Sequence, residues 1–269
     1  MKNLRVAAVV CRSPVGEIEF NLSRTAYWVR EAQKNGVALI CFPELNITGY
    51  VNHSDMSAYA QPLPGDVSDR LSALAARHRM IILAGVAERS ATGKAYASHG
   101  IFWPDGRTGY YRKLYLAPNE TPYFVPGNDI PVFDTTHAIL GIQLCYDAHF
   151  PELSTAMTAK GADILFMPHA SPRGDAATKH RSWLRHLTAR AYDNGVFVVA
   201  CNQLGENDRG LVFPGNAVVI NPSGEVIAKR LESTEGMLIV DLMAAEIETV
   251  RSHPMRYFFP NRRPDLYGR

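Results

Sequence analysis

Pro151-Glu152-Leu153-Ser154-Thr155-Ala156-Met157-Thr158-Ala159-Lys160-Gly161-Ala162-Asp163-Ile164-Leu165-Phe166-Met167 reads as a helix followed at once by a strand. Pro151 suits a first helical turn, where a missing N–H costs no bond. Leu153, Ala156 and Met157 share one face, Gly161 closes the helix, and Ile164 to Met167 is the apolar run of a strand buried on both faces. The same grammar occurs three more times. Asn21 is a cap for a helix with Leu22, Ala26 and Val29 inward, Gly36 ends it, and Val37 to Phe42 follows. Asp66 is a cap for a helix with Val67, Leu71, Leu74 and His78 inward, leading to Met80 to Val86. A helix over about Thr178 to Asn194 aligns Leu184, Leu187 and Ala191, stops at Gly195 and gives way to Val196 to Cys201. Parallel strands covered by helices follow from this pattern, so the fold is α/β.

Other β-type runs have no helix before them: Ala95 to Phe102 before Pro104-Asp105-Gly106, Ile139 to Leu144, Leu211 to Ile220 before Asn221-Pro222-Ser223-Gly224, Glu225 to Arg230 and Met237 to Val240. These read as antiparallel additions. About twelve strands against about five helices are too many for one sheet covered on both faces, which favours two sheets packed face to face with helices outside. No linker, repeat or low-complexity stretch divides residues 1–269, so a single domain is expected. From about residue 252 an extended tail begins, and its His253-Pro254-Met255-Arg256-Tyr257-Phe258-Phe259-Pro260 is aromatic yet broken by prolines. It is expected to pack across a subunit interface.

Composition narrows the function. Of 269 residues 46% are hydrophobic and 20% charged, which is globular, and 28 basic against 26 acidic residues leave a net charge of +2. Neither a nucleic-acid nor an anionic-membrane partner has electrostatic support, and a small molecule is the better partner. Met80 to Ala87 and Val37 to Phe42 are far shorter than the roughly 18 residues of a membrane span. Val6 to Cys11 is too short for a signal-peptide core and runs into Arg12-Ser13-Pro14, so the expected location is cytoplasmic. Cys11, Cys41, Cys145 and Cys201 are scattered, which argues against a disulfide framework. Neither G-x-G-x-x-G, G-x-S-x-G, a phosphate-binding loop nor H-E-x-x-H occurs, and His180 with His186 misses the i, i+4 spacing of helical metal ligands. No cofactor and no metal are expected.

What remains is polar residues at the ends of apolar strands. Cys145 leaves Leu140-Gly141-Ile142-Gln143-Leu144 and enters Tyr146-Asp147 ahead of Pro151. A strand-to-helix turn exposes a thiolate and aims backbone N–H groups at the oxyanion it creates. Most free cysteines are small buried hydrophobes, and Cys11, Cys41 and Cys201 sit in apolar runs that fit that description. Glu44 ends the run Val37 to Phe42, where a carboxylate is either an ion-pair partner or a tuned base. In Tyr110-Tyr111-Arg112-Lys113, β alternation sends Arg112 and Lys113 to opposite faces, so one of them points inward.

Together these segments resemble the nitrilase superfamily of carbon–nitrogen hydrolases. The similarity rests on Phe42-Pro43-Glu44-Leu45 with Thr48-Gly49-Tyr50, on Tyr111-Arg112-Lys113 with Leu116 and Glu120, and on Cys145-Tyr146-Asp147 with Phe150-Pro151-Glu152. Ala189-Arg190-Ala191 with Asn194, Phe213-Pro214-Gly215 and Arg262-Arg263-Pro264-Asp265-Leu266-Tyr267 extend it. The resemblance implies a four-layer αββα sandwich and a triad of Glu44 as base, Lys113 as oxyanion stabiliser and Cys145 as nucleophile, with the Tyr146 N–H in the oxyanion hole and Glu120 holding the lysine. It implies a thioester intermediate without a cofactor, and a homodimer or larger assembly. Tyr146-Asp147, where nitrilases usually carry Trp and Glu, favours hydrolysis of a small primary amide to acid and ammonia. The alternatives are an N-carbamoyl amine or amino-acid hydrolase, a nitrilase, a non-catalytic scaffold protein and a Cys-His hydrolase using His149. Tyr50, His149, His169 and Arg173 are candidate substrate contacts; His149 stands where such amidases commonly have Arg or Glu. Arg173 matches a carboxylate by its fork, or is a solvated loop charge.

Overall fold

The computed structural model describes residues 1–52 and 56–266. The first half of the chain runs β1 (Leu4–Val10), α1 (Ile18–Lys34), β2 (Leu39–Cys41), α2 (Asp66–His78), β3 (Ile81–Arg89), β4 (Ala95–Phe102) and β5 (Thr108–Arg112). The second runs β6 (Phe133–Asp134), β7 (Ile139–Ile142), α3 (Pro151–Ala159), β8 (Ile164–His169), α4 (Ala176–Asn194), β9 (Phe197–Asn202), β10 (Leu204–Glu206), β11 (Val212–Pro214), β12 (Ala217–Ile220), β13 (Val226–Arg230), β14 (Gly236–Leu242) and α5 (Ala244–Arg251).

Among the described residues these strands form two six-stranded sheets, ordered β14-β1-β2-β3-β4-β5 and β13-β12-β9-β8-β7-β6, and a β10-β11 ribbon. Strands β1, β2 and β3 are parallel, as are β7, β8 and β9, with antiparallel strands outside each trio. Strand alternation sorts β1 into layers. Val6, Ala8 and Val10 join the core shared with the second sheet, whereas Ala7 and Val9 join the cluster under Leu22, Val29, Val67 and Leu71 of α1 and α2. Leu153 and Met157 of α3, with Trp183, Leu187 and Ala191 of α4, cover the second sheet. The expected αββα layering is what the chain adopts.

Several local readings need correction. Ile139 to Leu144 is not simply an antiparallel addition: β7 pairs in parallel with β8 and antiparallel with β6, because α3 forms the crossover after β7 instead of before it. Asn21 lies inside α1, buried, and its amide donates to Pro14 O and Ile47 O, so it ties loops together instead of capping. Gly65 precedes α2, its N–H bonded to Ser68 Oγ, and Asp66 is the first helical residue. His78 and Leu74 are only half-buried. α4 begins at Ala176, two residues before the expected start at about Thr178, with Asp175 as its cap accepting the Thr178 N–H. Leu211 to Ile220 is divided by Gly215 into β11 and β12. Beyond α5 the tail makes two short 3-10 turns, Phe259–Asn261 and Pro264–Leu266; Tyr267 lies outside the described residues.

Candidate active site

Four chain segments bring their functional groups together just past the ends of strands. In doubly wound sheets this is where crossovers leave a crevice. After β2 the chain turns through Pro43 and presents Glu44, fully buried, with Leu45 in the left-handed region at φ 52°. Gly85 of β3 makes this turn possible, since a Cβ there would lie 2.2 Å from Leu45 N. Immediately after β5 comes Lys113, 1% exposed. The outward neighbour is Arg112, ion-paired with Glu88 and bonded through Nε to it at 2.8 Å, so the alternation resolves with lysine inward. Past β7, Cys145 stands half-buried at φ 43° as the first residue of the 3-10 turn Cys145–His149. Past β8, Ala170 to Arg173 form the fourth segment.

The Lys113 ammonium donates to Glu44 Oε1 and to Glu120 Oε1, each at 2.8 Å. Glu44 Oε2 accepts the Ala170 N–H at 2.9 Å. Glu120 also accepts from Tyr50 Oη at 2.8 Å and, through Oε2, from the Ala117 N–H at 2.7 Å. One ammonium between two carboxylates leaves the cluster one negative charge in excess when both are ionised. Burial pushes the Glu44 carboxyl up to about 7; Lys113 opposes the rise and Glu120 adds to it. Burial alone lowers the lysine, but Glu44 and Glu120 hold it well above the usual range. Burial, then Glu44, pushes the Cys145 thiol up against the pull of Lys113. A resting thiol next to a carboxylate that titrates near neutrality is suited to general-base activation as it attacks.

A cavity of about 560 Å³ opens onto Lys113, Glu120, Cys145 and Tyr146, a volume suited to a small molecule. Of the candidate substrate contacts, Tyr50 and Arg173 line it. His149 and His169 are not among its lining residues. The His149 ring lies 4.4 Å from that of His186, and its carbonyl accepts from Arg190 Nη2 at 3.3 Å. His169 is buried, its Nδ1 2.7 Å from Met167 O and its ring 4.2 Å from Trp183. His169 is packed between β8 and α4, while His149, on the Cys145 turn, is exposed and set against His186 of α4.

The Carbon-nitrogen hydrolase family model matches residues 5–252. The chain belongs to this family. A protein of Pyrococcus abyssi named nitrilase is 30% identical over 99% of this chain and 100% of its own length. Omega-amidase NIT2 of Bos taurus is 30% identical over 92% and 91%. Among solved structures, the amidase of Nesterenkonia sp. AN1, seen with the acetamide moiety of fluoroacetamide added to its active-site cysteine, superposes with a TM-score of 0.83 at 25% identity, covering 98% of this chain and 95% of that one.

Two side chains of this carbon-nitrogen hydrolase had no role assigned from the sequence. Asp147 is wholly buried and bridges the two segments that carry Cys145 and Lys113. Its Oδ2 accepts from Leu144 N at 2.8 Å and Tyr111 Oη at 2.7 Å, while Oδ1 accepts from Tyr115 N at 2.8 Å and Leu114 N at 3.2 Å. Burial raises its carboxyl to about 6 against these donors and Lys113. The second is Lys179 in α4, half-buried, whose ammonium reaches the same cavity. Its only signal in the sequence is a position in the first turn of a helix after the Ala170 to Asp175 loop.

Proposed function

We propose that this protein hydrolyses a small primary amide to its carboxylic acid and ammonia through a thioester on Cys145. Glu44 takes the thiol proton as sulfur attacks the carbonyl carbon. The oxygen, now negative, is met by the Lys113 ammonium and the Tyr146 N–H, which lies in the first turn after Cys145, where N–H groups have no acceptor within the turn. Collapse breaks the C–N bond, the proton held by Glu44 leaves with ammonia, and the acyl group stays on sulfur. Water then gives its proton to Glu44 and attacks the thioester, releasing the acid and the thiol. Glu120 positions Lys113 and Tyr50.

The observation that carries this reading is the buried Lys113 bridging Glu44 and Glu120 at 2.8 Å beside a half-buried Cys145 on one cavity. Each residue alone has an ordinary structural explanation; a thiol and a cation on one cavity wall, with the cation bonded to a buried base, do not share one. The cytoplasm is the proposed location, in keeping with four unpaired cysteines. Residues 1–269 are proposed to be one domain, since a single apolar core joins both sheets. A homodimer or larger assembly is proposed through the tail, where Met255, Phe258 and Leu266 are exposed and Phe258 rests on exposed Tyr192. The test is a panel of primary amides, N-carbamoyl compounds and nitriles assayed for ammonia. Equal amounts of acid and ammonia from an amide, with the matching nitrile intact, are expected. Nitrile turnover with no active amide rejects the amide reading, and carbon dioxide released with ammonia replaces it by N-carbamoyl hydrolysis.

A further inference from the structure

Two amide side chains, Asn202 and Gln203, stand at the end of β9, and both are fully buried. Neighbours on a strand point to opposite faces. Gln203 Nε2 donates to the main-chain Glu44 O at 2.8 Å. Asn202 turns the other way, toward the chain leaving β8: its Oδ1 accepts the Ser171 N–H at 2.8 Å and its Nδ2 donates to Ser171 O at 3.0 Å. The parallel ladder of β8 and β9 ends with His169 opposite Asn202. A primary amide carries an acceptor and donors as a peptide group does, so the Asn202 side chain serves Ser171 in place of a further ladder residue. Between His169 and Ser171 lies Ala170, whose N–H meets Glu44 Oε2 at 2.9 Å. The other Glu44 oxygen accepts from Lys113.

We propose that Asn202 is a positioning residue for Glu44: by holding both main-chain groups of Ser171 it fixes the Ala170 N–H on Oε2, and with it the orientation of the carboxylate. This rests on the reading of Glu44 as the base. One donor on each oxygen sets the plane of the carboxylate; with the Ala170 N–H displaced, the group is free to turn about its contact with Lys113. Burial raises the Glu44 carboxyl, and the Ala170 N–H is among the contacts that oppose the rise, because it favours the ionised form. The ionisable groups facing Glu44 are Lys113, Glu120, Tyr50 and Cys145. On the side of β8 and α4, burial keeps the His169 ring neutral, and Lys179 is bonded to Ser171 Oγ and Pro172 O. Asn202 carries no charge of its own, so its removal acts on Glu44 through the Ala170 N–H.

The test is the pH–rate profile of Asn202→Ala on an active amide. A base works in its ionised form, so a weakened hydrogen bond to the carboxylate should move the acid limb of kcat/KM upward by about one pH unit. On the plateau above the limb, kcat should fall about tenfold while KM changes little. Asn221→Ala is the control for lost stability alone: Asn221 is a buried asparagine that accepts the Ser223 and Glu225 N–H groups in the β12–β13 turn, at the far end of β12 from Asn202, and its limb should stay in place. Asn202→Ser serves if the alanine variant does not fold, with the same upward shift expected. A limb that stays in place without Asn202, or that moves equally in Asn221→Ala, overturns the proposal. A second arm needs no turnover: carbon-13 NMR titration of the glutamate carboxyls in Cys145→Ala, with and without Asn202→Ala, the Glu44 signal being the one missing from Glu44→Gln. A midpoint about one pH unit higher in the double variant supports the positioning role even if no amide is hydrolysed, in which case only the amidase reading fails. An unchanged or lower midpoint refutes the role even in an active amidase.

Discussion

Glu120→Gln tests whether the two carboxylates feel one another. Two acceptors bonded to one tetrahedral nitrogen at 2.8 Å have their oxygens about 4.5 Å apart, and at an effective dielectric of about 20 unit charges at that distance repel by about 3.7 kcal/mol. Spreading each charge over both carboxylate oxygens reduces this to about 3 kcal/mol. At about 1.4 kcal/mol per pH unit, removing the Glu120 charge should lower the Glu44 pKa by about two, from about 7 to about 5. In its proposed role as base Glu44 must be ionised, so activity is lost as pH falls through its pKa, and the acid limb of kcat/KM should move to lower pH by that amount. The amide oxygen of the glutamine can replace Oε1 toward Lys113 and Tyr50, but its NH₂ then faces the Ala117 N–H. One buried donor loses its acceptor, at a cost of about 1–3 kcal/mol in stability. The assays are a pH–rate profile by ammonia release and denaturant unfolding. A limb that stays near 7, or moves upward, refutes the coupling; a limb that survives in Glu44→Gln refutes the assignment of the base.

Lys113→Arg should lose activity by about 10²-fold or more, because a broad guanidinium cannot occupy the place of a compact ammonium between two carboxylates and an oxyanion; near-normal turnover would make the lysine a mere ion-pair partner. Cys145→Ala should abolish turnover while shifting the unfolding midpoint little, since a half-buried thiol contributes little packing. Asp147→Asn puts an amide N–H against the Leu144 N–H or the Leu114 and Tyr115 N–H groups, loosening the link between the Lys113 and Cys145 segments; kcat should fall about 10²-fold, as a displacement near 1 Å does, with Asp147→Glu recovering little. Light scattering should give at least a dimer, and Phe258→Asp should lower that mass; a fully active monomer at micromolar concentration removes the tail interface.

The layers were legible because helix and strand periods differ: the face Leu153-Ala156-Met157 and the run Ile164 to Met167 cannot exchange roles. Caps were less so, because Asn21 and Asp66 have the chemistry of a cap but lie inside their helices, and only the surrounding loops show that Asn21 is spent on Pro14 and Ile47. Strand direction at β7 was misjudged, since a crossover following a strand leaves no mark before it. Glu44, Lys113 and Cys145 stood out as polar residues where apolar runs end, and the family resemblance joined them. The partners of Asp147 lie up to 36 residues away, so no spacing in the sequence reveals its four donors. Of the candidate substrate contacts, His149 and His169 are not among the residues lining the cavity; their rings lie against His186 and Trp183. Lys179 became visible only once α4 set it on the cavity wall, with its ammonium bonded to Ser171 and Pro172 of the β8–α4 loop.

The most direct test of Cys145 as nucleophile is rapid quench of the protein during turnover of an active amide, followed by mass spectrometry of the intact chain and its peptides. A mass gain equal to the amide minus ammonia, confined to the peptide containing Cys145 and absent in Cys145→Ala, is the expected result. Turnover by the Cys145→Ala variant, or an acyl group carried on Cys11, Cys41 or Cys201 instead, would contradict it.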